Sequence, residues 1–349
     1  MGVCGGLRRV RVVFANLGIE FVDRERALEQ VRELGGRGTF PVYVVYGPEG
    51  CGKTAFLRQA RAILEEEFGY HVVYVNPLAR RAEEVLQYTQ TVEGLVREAL
   101  RLFPEPYSRV VDVAVSAASL IIERFSKPRV AVLMDDIFQA VGVDQAEVYV
   151  KILLNLIEWP PREYERIVVL VASSEGVTWE RIGRHSWASI FAMWNMPRRG
   201  FEELYRLLPE PKPSFEDVWR LTGGNPRYLE KLYTAGWRVE SVVGNIVEDR
   251  RVIELVGSLS STEVEVLREA IENPDVLLER YREAASLVGT LIERNLIARV
   301  KRRDPYAWID ELPPERDLEL GIGRYYAWQT PLHREAIRRA LELVAQRRA

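Results

Sequence analysis

"VYVVYGPEGCGKTAFLRQA", residues 42–60, sets an apolar run, a glycine-rich turn and a helical pattern end to end. The turn, Gly47-Pro48-Glu49-Gly50-Cys51-Gly52-Lys53-Thr54, matches the P-loop pattern in full. Glycines at these places let main-chain N–H groups turn inward around an anion, where side chains would block them. Lys53 is then placed for β- and γ-phosphates, and the Thr54 hydroxyl for a magnesium ion. From Ala55 onward the helix aims its positive end at the same anion. Phe56, Leu57, Ala60, Ile63 and Leu64 recur with the 3.6-residue period that packs such a helix on a sheet.

The other strands follow from that anchor. Short apolar runs recur at 71–75, 129–134, 166–172 and 189–196, with helical patterns over 23–34, 81–101, 109–125 and 146–158. Continuous apolar strands alternating with helices predict a parallel sheet of five core strands, buried on both faces. Asp23 is the expected cap of the first helix. Past Pro197 the pattern turns helical, over 200–208, 214–221, 226–235, 238–256 and 261–272. Near the end "NLIARVKRR" (295–303) and "GRYYAWQT" (323–330) read as two strands of a hairpin joined by a long polar loop, then a terminal helix over 331–347.

The 349 residues allow two or three domains, and a net charge of −3 names no partner by itself. Lys supplies only six of the 48 basic residues, a bias that a GC-rich genome or a hot habitat would each produce. Cys4 and Cys51 have no disulfide or zinc-site spacing, and His71, His185 and His333 are isolated. The longest nearly apolar run, 110–122, is too short to span a bilayer, and the amino terminus lacks the order of a secretion signal. A cytoplasmic protein is expected.

A P-loop needs a second acidic site at the end of a buried strand. "VAVLMDD", 130–136, supplies it: Asp135 to hold magnesium and Asp136 to orient or deprotonate the attacking water. The strand at 166–172 ends in Ser173 and Ser174, either of which can face the γ-phosphate or its water, and either of which can simply belong to the turn.

With these residues in order, the chain resembles the archaeal ATPase family of AAA+/STAND-type P-loop NTPases. The features are "FVDRERALEQV", "GPEGCGKT", the "MDD" strand end, the serine-tipped strand and "LTGGNPRYLEKL", over roughly Glu20 to Leu232. The resemblance implies ATP and Mg2+ as ligands, with Phe21 and Val22 walling the adenine. Asp23 stands where the family has glycine. It also implies that the "GGNP" turn (Gly223 to Pro226) lets a helical lid sense nucleotide, with Pro226 and Arg227 near it. Gly183-Arg184 then matches the family's "GR" pair, making Arg184 a candidate arginine finger, with Arg181 its competitor. Read bottom-up, "GGNP" is a helix stop and restart, and both arginines fit a solvated surface.

The last third resembles the winged-helix domain that often follows in that family: three helices (260–274, 275–284, 285–297) and the hairpin. A DNA groove face would come from Ser286, Thr290, Glu293 and Arg294, with Arg299, Lys301, Arg302 and Arg303 on the wing. From Arg251 onward, however, 16 basic residues face 17 acidic ones, so a protein partner fits at least as well as DNA. The expected architecture is an α/β P-loop core (1–197), an all-α lid (198–257) and a winged helix (258–349). The expected function is Mg-dependent ATP binding and hydrolysis that moves the winged helix. Two alternatives stand beside it. One is a slow-hydrolysing nucleotide switch that binds DNA or protein. The other is a small-molecule kinase, disfavoured by the paired aspartates and the long helical extension.

Overall fold

The computed structural model describes residues 8–79, 81–103, 109–174, 176 and 182–348. Cys4 and Arg181 lie outside them. The chain opens with an antiparallel hairpin, β1 (Arg11–Phe14) and β2 (Leu17–Glu20), followed by helix α1 (Glu25–Arg37). The core then alternates β3 (Val42–Tyr46), α2 (Lys53–Glu66), β4 (His71–Val75), α3 (Ala82–Val85), β5 (Leu86–Tyr88), α4 (Glu93–Arg101) and α5 (Val110–Arg124). It closes with β6 (Arg129–Asp135), α6 (Ile137–Val141), α7 (Val143–Glu158), β7 (Arg166–Ser173) and β8 (Ala188–Ala192).

The sheet order is β5-β4-β6-β7-β3-β8, and every neighbouring pair is parallel except β4 with β5. All five expected strands are present, and β7 lies between the P-loop strand and the acidic strand. Alternate residues serve opposite layers. Val44, Val73, Val132 and Val169 face α4, α5 and α7, whereas Val45, Val72, Leu133 and Leu170 face α1 and α2. Burial on both faces is why these strands read as unbroken apolar runs.

Several expected boundaries shift for local reasons. The helix expected over 81–101 is interrupted, because Leu86, Gln87 and Tyr88 pair with the edge of β4 and satisfy main-chain groups there. The last core strand ends at Ala192 rather than Met196, where the chain turns away to bond with Gly224 O through Met196 N at 2.9 Å. Asp23 does not cap α1: Arg24 holds the cap position with φ 65, Asp23 itself has φ 58, and the Asp23 carboxylate lies against Gly200. Asp23 thus takes a left-handed conformation that glycine adopts without cost.

Beyond Pro197 come α8 (Arg198–Arg206), α9 (Phe215–Thr222), α10 (Pro226–Thr234), α11 (Val239–Asp249) and α12 (Val252–Ser258). The single helix expected over 238–256 is broken at Arg251, which takes φ 50. The last third holds α13 (Ser261–Glu272), α14 (Val276–Glu279), α15 (Tyr281–Glu293), β9 (Ile297–Arg299), β10 (Tyr326–Trp328) and α16 (Pro331–Arg348). β9 and β10 pair antiparallel, as the hairpin reading required. The stretch expected as one helix over 275–284 is divided between α14 and the first turn of α15, and the buried Asp275 carboxylate accepts from the amides of Arg324 and Tyr325 at 2.9 and 2.8 Å. Tyr228, Leu232 and Ile246 share one apolar cluster with Leu267, Leu291 and Ile337, so α10 and α11 bury a common core with the last third.

The loop between β9 and β10 departs most from its reading as solvated and polar. Trp308, Ile309 and Asp310 are each at most 3% exposed. Trp308 bridges to Ala192 in parallel fashion, and Ile309 N donates to Ala192 O at 2.8 Å, so this segment covers the end of edge strand β8. No helix among the described residues is long and apolar enough to cross a membrane.

Candidate nucleotide-binding site

The site lies at the carboxyl ends of β3, β6 and β7. Immediately after β3, Gly47 N donates to Ser173 O at 3.3 Å and joins the turn to β7. A β-carbon on Gly47 would stand 2.0 Å from Met193 O, and Gly50 and Gly52 have φ of 78° and 105°, so glycine is required for contact in one case and for backbone hand in the others. Pro48 and Glu49 complete the arch, Cys51 is fully buried under it, and α2 begins at Lys53. Ala55 follows Thr54 in the first turn of α2. The Lys53 ammonium is buried and donates to the carbonyls of Gly47 and Pro48, both at 2.9 Å.

Opposite the arch, Asp135 ends β6 with no exposed surface. Its Oδ2 accepts from the Tyr74 hydroxyl at 3.1 Å and from Asn76 Nδ2 at 3.2 Å. Its Oδ1 is buried and has no hydrogen-bond partner. Burial, and then the charge of Asp136, push the Asp135 carboxyl up to about 6; the Thr54 hydroxyl and the Lys53 charge oppose that rise. The Thr54 hydroxyl, opening α2, is thus near enough to Asp135 to favour its carboxylate. A buried carboxylate oxygen left open beside a threonine hydroxyl is a donor set that fits a hard divalent cation.

Asp136 follows in left-handed conformation, φ 50, at the start of α6. Burial raises its carboxyl, Glu49 adds to the rise, and Lys53 and Arg227 oppose it, which places this group among the charges of the arch. Ser173 is buried at the end of β7 and Ser174 is half-buried just beyond it. Lys53, Thr54, Asp135, Asp136 and the two serines therefore follow the carboxyl ends of three adjacent central strands.

The "GGNP" turn meets the arch directly. Asn225 caps α10 by accepting from Tyr228 N at 3.3 Å, and its Nδ2 donates to Glu49 O at 2.9 Å and to Asn195 Oδ1 at 2.8 Å. Pro226 opens α10, and Arg227 N donates to Gly50 O at 3.3 Å. A β-carbon on Gly50 would lie 2.1 Å from Arg227 Cβ, so α10 and the arch approach each other at main-chain distance. Helix punctuation alone would not have required this contact.

Residues from farther along the chain were not legible as part of the site. Glu49 N donates to Gln329 Oε1 at 3.0 Å, and the Glu49 carboxylate pairs with Arg250. Arg24 is buried and donates through Nη1 to Asp310 Oδ2 at 2.6 Å and through Nη2 to Cys51 O at 2.6 Å and Trp194 O at 3.0 Å. The one sequence signal for Asp310 was the adjacent Trp308-Ile309, two large apolar residues inside a loop otherwise rich in charge.

Two further expected groups are the base wall, Phe21 and Val22, and the candidate finger, Arg184. Phe21 is buried with Cys51, α1 and α2 under the Arg9 guanidinium, 5.8 Å from its ring centre, and Val22 packs against the apolar cluster that holds Phe201 of α8. Arg184 is exposed and pairs with Glu147 of α7 at 3.1 Å.

The family of ATPase domains found predominantly in Archaea matches residues 21–232. An uncharacterized ATP-binding protein of Pyrococcus abyssi is 24% identical over 281 residues, covering 75% of this chain and 83% of its own length. The ORC2 protein of Aeropyrum pernix in its ADPNP–ADP complexes aligns with a TM-score of 0.47 and 14% identity, over 92% of this chain and 93% of that one. DnaA of Aquifex aeolicus bound to AMPPCP aligns at 0.38 and 15%, over 80% and 86%. Both are loose likenesses of fold, and the family assignment stands on the sequence match.

Proposed function

The chain belongs to the family of ATPase domains found predominantly in Archaea, and from that premise we propose that it binds ATP with Mg2+ and hydrolyses it. The observation that carries the reading is the open Oδ1 of Asp135, buried at the end of β6 beside Thr54 and across from Lys53. Asp135 and Thr54 would hold the metal, which when bound supplies positive charge against the β- and γ-phosphate oxygens. Lys53 exchanges the carbonyls of Gly47 and Pro48 for phosphate oxygen, trading neutral acceptors for a charged one. Main-chain amides of the arch cradle the anion. Asp136 orients water and takes its proton, with Ser173 or Ser174 placing that water or the γ-phosphate. Phe21 and Val22 wall the base, Pro226 and Arg227 carry the nucleotide's presence to the lid, and Arg184, exposed, serves a neighbouring copy's site as an arginine finger.

The test is binding and turnover of ATP with and without Mg2+. Asp136→Asn should retain ATP binding and lose turnover; unchanged turnover in that variant would sink the assignment of Asp136.

In the same reading the last third is a winged helix moved by the nucleotide. A slow switch whose output is a partner contact is the second reading, favoured by the ties of Gln329 and Arg250 to Glu49. A protein partner fits better than DNA here. Lys301 lies on Ile190 O, Arg303 holds the carbonyls of Arg324 and Pro314, and Arg294 holds those of Arg250 and Arg251, so these cations already serve the fold.

A further inference from the structure

We propose that Asp310, carried on the loop between β9 and β10, is a positioning residue of the phosphate arch, acting through Arg24. Its consequence is that nucleotide binding and docking of the Pro305–Asp310 strap strengthen each other. The inference rests on the ATP-binding reading above.

The contact is built from both sides. Arg24 and Asp310 are 3% and 2% exposed, so neither charge is balanced by water, and each is the other's counter-ion. The second nitrogen of the same guanidinium fork is committed to Cys51 O inside the arch and to Trp194 O just beyond β8. A planar fork fixes those acceptors relative to one another, which a flexible lysine would not do. Both partners also hold left-handed backbone, φ 65 and φ 72, a conformation that costs a non-glycine residue and persists only where its surroundings enforce it.

The strap is held in place by more than the ion pair. Gln30 of α1 grips it twice, donating to Trp308 O and accepting from Asp310 N, each at 2.8 Å. The Trp308 ring is buried edge-on to Trp194, with centres 6.5 Å apart, so the residue whose carbonyl Arg24 holds also packs against the strap. Releasing the strap removes the counter-charge of Arg24 and the packing of Trp194 together. Cys51 O then loses its anchor, and the amides that follow it lose their fixed direction. If docking orders the arch for an anion, an anion must by linkage favour docking to the same extent.

The experiment uses the full chain and MgATP. In wild type, saturating MgATP should slow amide hydrogen exchange across 305–312 by at least about threefold, and Lys53→Ala should show no such change. Asp310→Asn should weaken MgATP affinity by at least about tenfold and abolish the nucleotide-dependent slowing at 305–312. The exchange measurement on wild type needs no variant, so it decides the matter even if Asp310→Asn folds poorly. Wild type that fails to bind ATP would overturn the proposed function, and this inference with it. Wild type that binds ATP while exchange at 305–312 stays unchanged would overturn this inference alone. So would an Asp310→Asn chain that binds as wild type does.

Discussion

Two buried aspartates flank the phosphate arch and meet opposite fates. Asp135, on the sheet side, has two neutral donors on one oxygen and nothing on the other. Asp310, on the strap side, has a guanidinium 2.6 Å away. Burial without a counter-charge is costly, and a protein keeps such a group where something else supplies the charge. Burial with a dedicated counter-charge fastens two segments to each other. On the proposed reading, the open aspartate marks the ligand and the closed one marks the coupling.

The contrast predicts opposite signs for neighbouring substitutions. Asp310→Ala strands the Arg24 charge in the interior and should destabilise the chain by roughly 3–5 kcal/mol in chemical denaturation. A variant as stable as wild type would show that Arg24 finds its balance elsewhere. Asp135→Asn removes a charge that the fold holds at a cost, and should stabilise the chain at pH 7, by on the order of 1–3 kcal/mol, while losing Mg-dependent nucleotide affinity.

The sign follows from Asp135 binding its proton more tightly when folded, at about 6 against a usual 3.8. Between those values the native chain holds the extra proton, so this group's contribution to stability declines as pH rises from about 4 to about 6. Asp135→Asn should lack that decline. Mg-dependent affinity runs the other way, gained as pH rises through about 6, because the metal needs the carboxylate. The smallest effect is where α10 meets the arch. Gly50→Ala places a methyl group on Arg227 in backbone that favours glycine, and should cost about 1–3 kcal/mol and weaken ATP binding. A variant with wild-type affinity would separate that contact from the site.

The same contrast explains what was legible. The arch, β6 with its terminal aspartates and the five parallel strands were visible because local chemistry dictates them: glycine for backbone hand, apolar runs for strands buried on two faces. Tyr74 and Asn76 were not, because a partner one strand away leaves no spacing rule in the chain. Asp310 is separated from Arg24 by nearly the whole sequence, and its segment reads as a charged loop until Trp308 is seen filling the end of β8. β5 was hidden for a related reason, since its three residues carry a helical pattern that the edge of β4 overrides.

The central claim is that the residue 47–54 arch holds a nucleotide whose metal meets Asp135. Calorimetric titration of wild type and Lys53→Ala with ATP, each with and without Mg2+, tests it most directly. The account predicts tight wild-type binding strengthened by Mg2+, and a loss of roughly a hundredfold or more in Lys53→Ala. Equal affinity in the two chains, or a wild type indifferent to Mg2+, would contradict it.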